Sequence, residues 1–222
     1  MTGMGKERSE MENLARQLYR DHKKVLGLLA ERSSGTGFEL AAQRLFGDKP
    51  EREKPVRIGN STVVCPGIQK NLVSFLPARW HEELDKTKGR WPGCENWWAG
   101  YPFIAWVEIR AGDDGITGVL KLNAEVGPIS DHKTRKGIIE AIRMAASAEG
   151  LERIQFPPGA VDERGLYSRF LRKNSAAVKD MSDTDGVESK IVQLMADFEP
   201  EFELVARVIP QFLRVREALA RR

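Results

Sequence analysis

The stretch Phe103–Val126, FIAWVEIRAGDDGITGVLKLNAEV, decides the fold. Phe103, Ala105, Val107 and Ile109 alternate with Ile104, Trp106, Glu108 and Arg110. Ala111-Gly112-Asp113-Asp114-Gly115 has turn composition. On the return arm, Gly118, Leu120, Leu122, Ala124 and Val126 point one way, and Thr117, Val119, Lys121, Asn123 and Glu125 the other. Period-two alternation on both arms of a turn predicts an antiparallel hairpin with one apolar face.

Downstream, Gly127 and Pro128 end the second strand, and Ser130 or Asp131 is placed to cap a helix running to about Glu149, with Gly150 as its stop. Ile138, Ile139, Ile142, Ala145 and Ala146 form its apolar side. Leu151–Phe156 reads as a further strand, giving a ββαβ unit whose hairpin is covered by the helix. A basic stretch YSRFLRK (167–173) and a polar linker KDMSDTDG (179–186) precede a C-terminal helical segment from Val187. Pro200 and Pro210 are expected to break or kink it, or to start new helical pieces.

Upstream, Gly89–Trp106 holds four of the five tryptophans, and its Gly and Pro content forbids a long helix. Most of these tryptophans are expected to fill core, with Trp106 on the more polar hairpin face, beneath Lys121. Arg57–Cys65 and Asn71–Leu76 read as strands, and Ala78–Leu84 as a helical turn. GDKPEREKP (47–55) is a charged, proline-bounded boundary. Before it, Glu10–Arg32 and Phe38–Phe46 carry helical periodicity and pair as a helical hairpin. The expected fold class is α+β, with segments 1–46 (helical), 56–180 (α+β core) and 187–222 (helical).

The chain has 222 residues, 41% hydrophobic and 30% charged, enough for a core without staples. Its 35 basic and 32 acidic residues leave a net charge of +3, too small to require a nucleic-acid partner. Two cysteines, a polar N-terminus and no apolar run of about 20 residues make the cytoplasm the expected location, away from the membrane.

Cys65, Cys94, His22, His81 and His132 fall in none of the spacings that gather ligands round a metal. No nucleophile elbow and no phosphate-binding glycine motif is present; a Cys94–His81 pair flanking the tryptophan-rich segment is the one conceivable nucleophile. A Mg²⁺-dependent nuclease needs converging carboxylates. Glu108, Glu125 and Asp131 are the candidates, although Asp131 is better read as a helix cap and Glu125 as a cross-strand partner of Lys121 or a neighbour. Asp131-His132-Lys133 and Glu188-Ser189-Lys190 imitate acid-x-Lys spacing. Lys133, Lys136 and Arg143 share a helical flank, and Arg164, Arg169, Arg172 and Lys173 cluster beyond it. Joined, the two sets would form a patch that meets phosphates, with Trp106 as an aromatic neighbour.

LVSFLP (72–77), WPGCENWW and LKLNAEVGPISDHKTRKGIIEAI, with LYRDHKKVLGLL in the first helix, resemble the C-terminal region of PD-(D/E)XK nuclease-like proteins associated with bacteria and phage. The resemblance spans most of Leu14–Phe212. It implies an α+β tail module that lacks the family's catalytic strands, so no catalytic residue and no cofactor is carried over. The expected function is a non-catalytic accessory domain binding nucleic acid or a protein partner in a phage-defence or mobile-element setting. The alternatives are a divergent Mg²⁺-dependent nuclease and an oligomerisation module.

Overall fold

A computed structural model describes residues 36–86 and 91–220. The helix expected at Glu10–Arg32, and with it the first limb of the helical hairpin, lies outside the described residues. Gly37–Arg222 forms one compact unit, and the charged stretch 47–55 lies within it.

The elements are α1 (Gly37–Phe46), β1 (Val56–Ile58), β2 (Ser61–Gln69), β3 (Leu72–Pro77), α2 (Ala78–Asp85), β4 (Phe103–Ala111), β5 (Gly118–Val126), α3 (His132–Ala148), β6 (Ser168–Arg169), β7 (Ser175–Val178), α4 (Thr184–Asp197) and α5 (Glu199–Ala220). The class is α+β, as the sequence predicts. The strands make one seven-stranded antiparallel sheet in the order β1-β2-β3-β4-β5-β6, with β7 also paired to β5. The segment read as one strand at Arg57–Cys65 is two strands joined at Gly59-Asn60. Pro66, which has no N–H to donate, falls where the β2–β3 register shifts between Val64 and Gly67.

The β4–β5 hairpin runs in unbroken register from Phe103↔Val126 to Ala111↔Gly118. Its turn is built by Asp114, whose carboxylate accepts from the N–H groups of Ile116 and Thr117 at 2.9 and 2.8 Å. Those bonds, that of Ile116 foremost, hold its carboxyl below the usual range. Asp131 caps α3, accepting from the N–H groups of Lys133 and Thr134. The helix is stopped just beyond Ala148 by Gly150, φ +68°, and the Leu151 N–H reaches back to the Ala146 carbonyl.

That C-terminal cap occupies the start of the strand expected at Leu151–Phe156. Only an isolated bridge, Ile154↔Leu171, forms there. The strands that follow α3 and join β5 are β6 and β7 instead. The ββαβ reading therefore has the right order of elements but the wrong last strand.

The apolar hairpin face is not covered by α3 alone. Phe103 meets the Trp80 ring of α2 at 5.6 Å and Phe212 of α5 at 6.3 Å. Trp80 is fully buried and donates from its indole nitrogen to the Phe202 carbonyl at 2.8 Å, joining α2 to α5. α1 packs on α4, and Phe46 stacks on Phe75 of β3. Pro200 sits at the start of α5, where a missing N–H is harmless, whereas Pro210 lies inside that helix. Among the described residues no helix is long and apolar enough to cross a membrane.

Candidate functional site

The sheet has a second face, on which Trp106, Glu108, Asn123 and Glu125 stand. Part of it is roofed by the tryptophan-rich segment. Trp98 donates from its indole nitrogen to Ser74 Oγ at 2.8 Å, and Ser74 is the cross-strand neighbour of Trp106. Trp97 lies over Gly127: a Cβ added there would stand 2.2 Å from the Trp97 ring, so only glycine permits this approach. Trp106 is 6% exposed. Within the tryptophan-rich segment the expected core burial holds for Trp91, while Trp97 and Trp98 are half-buried; Trp106, expected on the more polar face, stands there and is nonetheless buried, and Trp80, outside the segment, is core as well.

β6 completes this face. Ser168 is buried and points inward, so Tyr167 and Arg169 point outward. The Arg169 guanidinium lies 4.8 Å from the centroid of the Trp106 ring, and its Nε is 3.4 Å from Glu125 Oε2. Register explains the second contact, because Glu125 and Arg169 are direct cross-strand partners. The cation expected over Trp106 was Lys121. Lys121 is instead paired across the hairpin with Glu108, and the cation comes from β6. Tyr167, 52% exposed, leans on Trp97 with ring centroids 6.1 Å apart.

Inside, Arg135 of α3 is 1% exposed. It donates to the Ala160 carbonyl and to Ser168 Oγ, both at 2.6 Å, and to the Gly127 carbonyl at 3.3 Å. Burial holds its pKa below the usual arginine value, and Glu125 opposes that shift. Arg135 thus fixes β6 from below. Glu125, half-buried between Arg169 and Arg135, is pushed up by burial, with both cations pulling against it.

The three carboxylates proposed for metal-dependent catalysis do not converge. Glu108 pairs with Arg110 at 2.9 Å and also accepts from Asn123 at 3.4 Å. Glu125 stands opposite Ile104, four residues along β4 from Glu108 or about 13 Å. Asp131 is spent on the α3 cap, and its carboxyl is held below the usual range first by the Thr134 hydroxyl and then by the two backbone bonds. Among the described residues no three His, Cys, Asp or Glu side chains could hold one metal ion. Cys94 is fully buried, while the His81 ring lies edge-on to Tyr101.

The cations fall into separate settings. Lys133 and Lys136 are on the exterior of α3, Lys136 being 3.8 Å from Glu140. Arg143 lies 5.8 Å over the Phe156 ring. Arg172 donates to the carbonyls of Leu171 and Arg169, and Lys173, in the left-handed region at φ 53°, is 3.9 Å from Glu152. Arg164, Arg169, Arg172 and Lys173 share one segment with the exposed Leu166 and Tyr167, against Asp162 and Glu163. Leu166 and Tyr167 are not among the binding residues expected from the sequence, and Trp97 was expected only as a member of a tryptophan cluster that mostly fills core. The signal was available for Tyr167, two residues before Arg169 and therefore on the same side of an extended strand.

A cavity of about 210 Å³ lies elsewhere, lined by Ser61, Arg79, Glu199 and Glu203 among others. Four of its polar groups are engaged in pairs: Ser61 Oγ donates to Glu199 at 2.5 Å, and Arg79 pairs with Glu203. No family model matches the chain, and neither a curated protein nor a solved structure matches it.

Proposed function

We propose that this chain is a non-catalytic interaction domain that binds nucleic acid through the outward side of β6 and the basic segment around it. The observation that carries the reading is the Arg169 side chain, laid on Trp106 yet still half exposed, beside the half-exposed Tyr167. A positioned guanidinium next to an open aromatic ring, in a segment with four cations, offers charge to phosphates and a flat surface to bases. The non-catalytic half is supported by Glu108, Glu125 and Asp131, each held by its own separate partners.

Fluorescence anisotropy of labelled single-stranded DNA, RNA and duplex DNA with the full chain tests this. Binding is expected at about 50 mM salt, with log K falling against log salt at a slope of about −2 to −3, as engagement of three or four cations requires. No binding to any of the three at that salt overturns the proposal. Leu166, 54% exposed, gives a protein partner a foothold at the same place. That second reading predicts an association insensitive to salt and lost in Leu166→Asp.

A further inference from the structure

We infer that the nucleic acid taken here is single-stranded, with two consecutive bases lying face-down on Tyr167 and Arg169; the inference rests on the nucleic-acid reading above. The two residues stand at i and i+2 of an extended segment, so their Cα atoms are about 6.8 Å apart and their side chains lie side by side on one face. Neighbouring bases in a duplex strand are stacked about 3.4 Å apart. Bases resting on both platforms must therefore be splayed to roughly twice the duplex spacing, which only an unpaired strand allows.

Each platform is stiffened from beneath. Trp97 backs Tyr167 at 6.1 Å and Trp106 backs Arg169 at 4.8 Å. Glu125 holds the Arg169 Nε edge, leaving the outward face of the guanidinium for a base, a surface as suitable for stacking as an aromatic ring. β6 itself is anchored by the buried bond from Arg135 to Ser168, between the two platforms in sequence. Arg172 and Lys173, which follow in the same segment, add positive charge along the path of the flanking phosphates. Both platforms present faces rather than hydrogen-bonding edges, so the site selects strandedness more than sequence.

The test uses the full chain and three probes of equal length: an oligothymidylate, its duplex with the complementary strand, and an abasic oligonucleotide with the same phosphates. The oligothymidylate is expected to bind about tenfold or more tightly than the other two. Tyr167→Ala is expected to weaken oligothymidylate about tenfold and leave the abasic strand unchanged, whereas Tyr167→Phe restores binding. Equal affinity for all three probes, or no effect of Tyr167→Ala, overturns the stacking inference while leaving nucleic-acid binding intact. No binding to any probe overturns both.

Discussion

Arg153 and Glu201 tie the segment behind β6 to the C-terminal helix, and a double-mutant cycle on them tests how that segment is held. Glu201 is 1% exposed and receives two bonds from Arg153, 2.7 Å from Nε and 2.8 Å from Nη2. Arg153 also donates to the Asp197 carbonyl at 2.6 Å and lies 4.1 Å over the Phe198 ring. Arg153→Met strands a buried carboxylate, which costs about 3–5 kcal/mol when the partner is fully buried. Because Arg153 is 30% exposed, the low end of that range applies. The lost carbonyl bond adds about 1 kcal/mol, for a total of about 4 kcal/mol. Glu201→Leu is milder, at about 2 kcal/mol, because Arg153 can turn to water. With both replaced nothing charged is left buried, so the double variant should lose about 3 kcal/mol and the coupling should be about 3 kcal/mol. Urea unfolding of the four proteins measures this. Single losses that add to within about 0.5 kcal/mol would show that the pair contributes independently, and the reasoning would fail.

Cys94, fully buried, has its thiol pushed up to about 12, by burial first and by Glu95 second. Peptide mapping after iodoacetamide at about pH 8 should find Cys94 alkylated only in unfolded protein; labelling in the native state would contradict its burial. Burial raises Glu125 above its ordinary value of 4.5, so the native state holds that proton more tightly than the unfolded chain. Stability should therefore fall as pH rises from about 4.5 through the elevated value, and Glu125→Gln should remove that part of the slope in urea titrations. An unchanged slope would remove Glu125 as its source. Gly127→Ala places a methyl inside the Trp97 ring position and should cost about 1–3 kcal/mol, while loosening Tyr167. A variant as stable as the parent would show that Trp97 does not need that contact.

The hairpin was legible because Phe103, Ala105, Val107 and Ile109 alternate with polar or bulky neighbours and Asp114 marks the turn. The α3 cap was legible because Asp131 precedes a run of isoleucines at helical spacing. Leu151–Phe156 misled because alternation records which side chains are buried, not what their backbones pair with. There Leu151 closes the α3 cap, and Arg153 is committed to Glu201. β6 and β7, reading SR and SAAV, carry no apolar period at all; β5 supplies their pairing. The site was half visible. Trp106 and Arg169 were both singled out, but their contact joins strands distant in sequence and follows from register with β5. The carboxylate cluster failed for a local reason: Glu108 and Glu125 share a sheet face but not a row.

Residues 153–155 also lie along the far side of the chain that follows β6. The Gln155 N–H reaches the Phe170 carbonyl at 2.7 Å, and the Arg172 N–H reaches the Arg153 carbonyl at 2.8 Å. An irregular piece too short to be a strand of its own thereby fills the hydrogen-bonding positions that a neighbouring molecule would use to lengthen the sheet. Joining of copies into a continuous ribbon through this rim is blocked by the backbone itself, and the exposed side chains beside it stay available for other contacts.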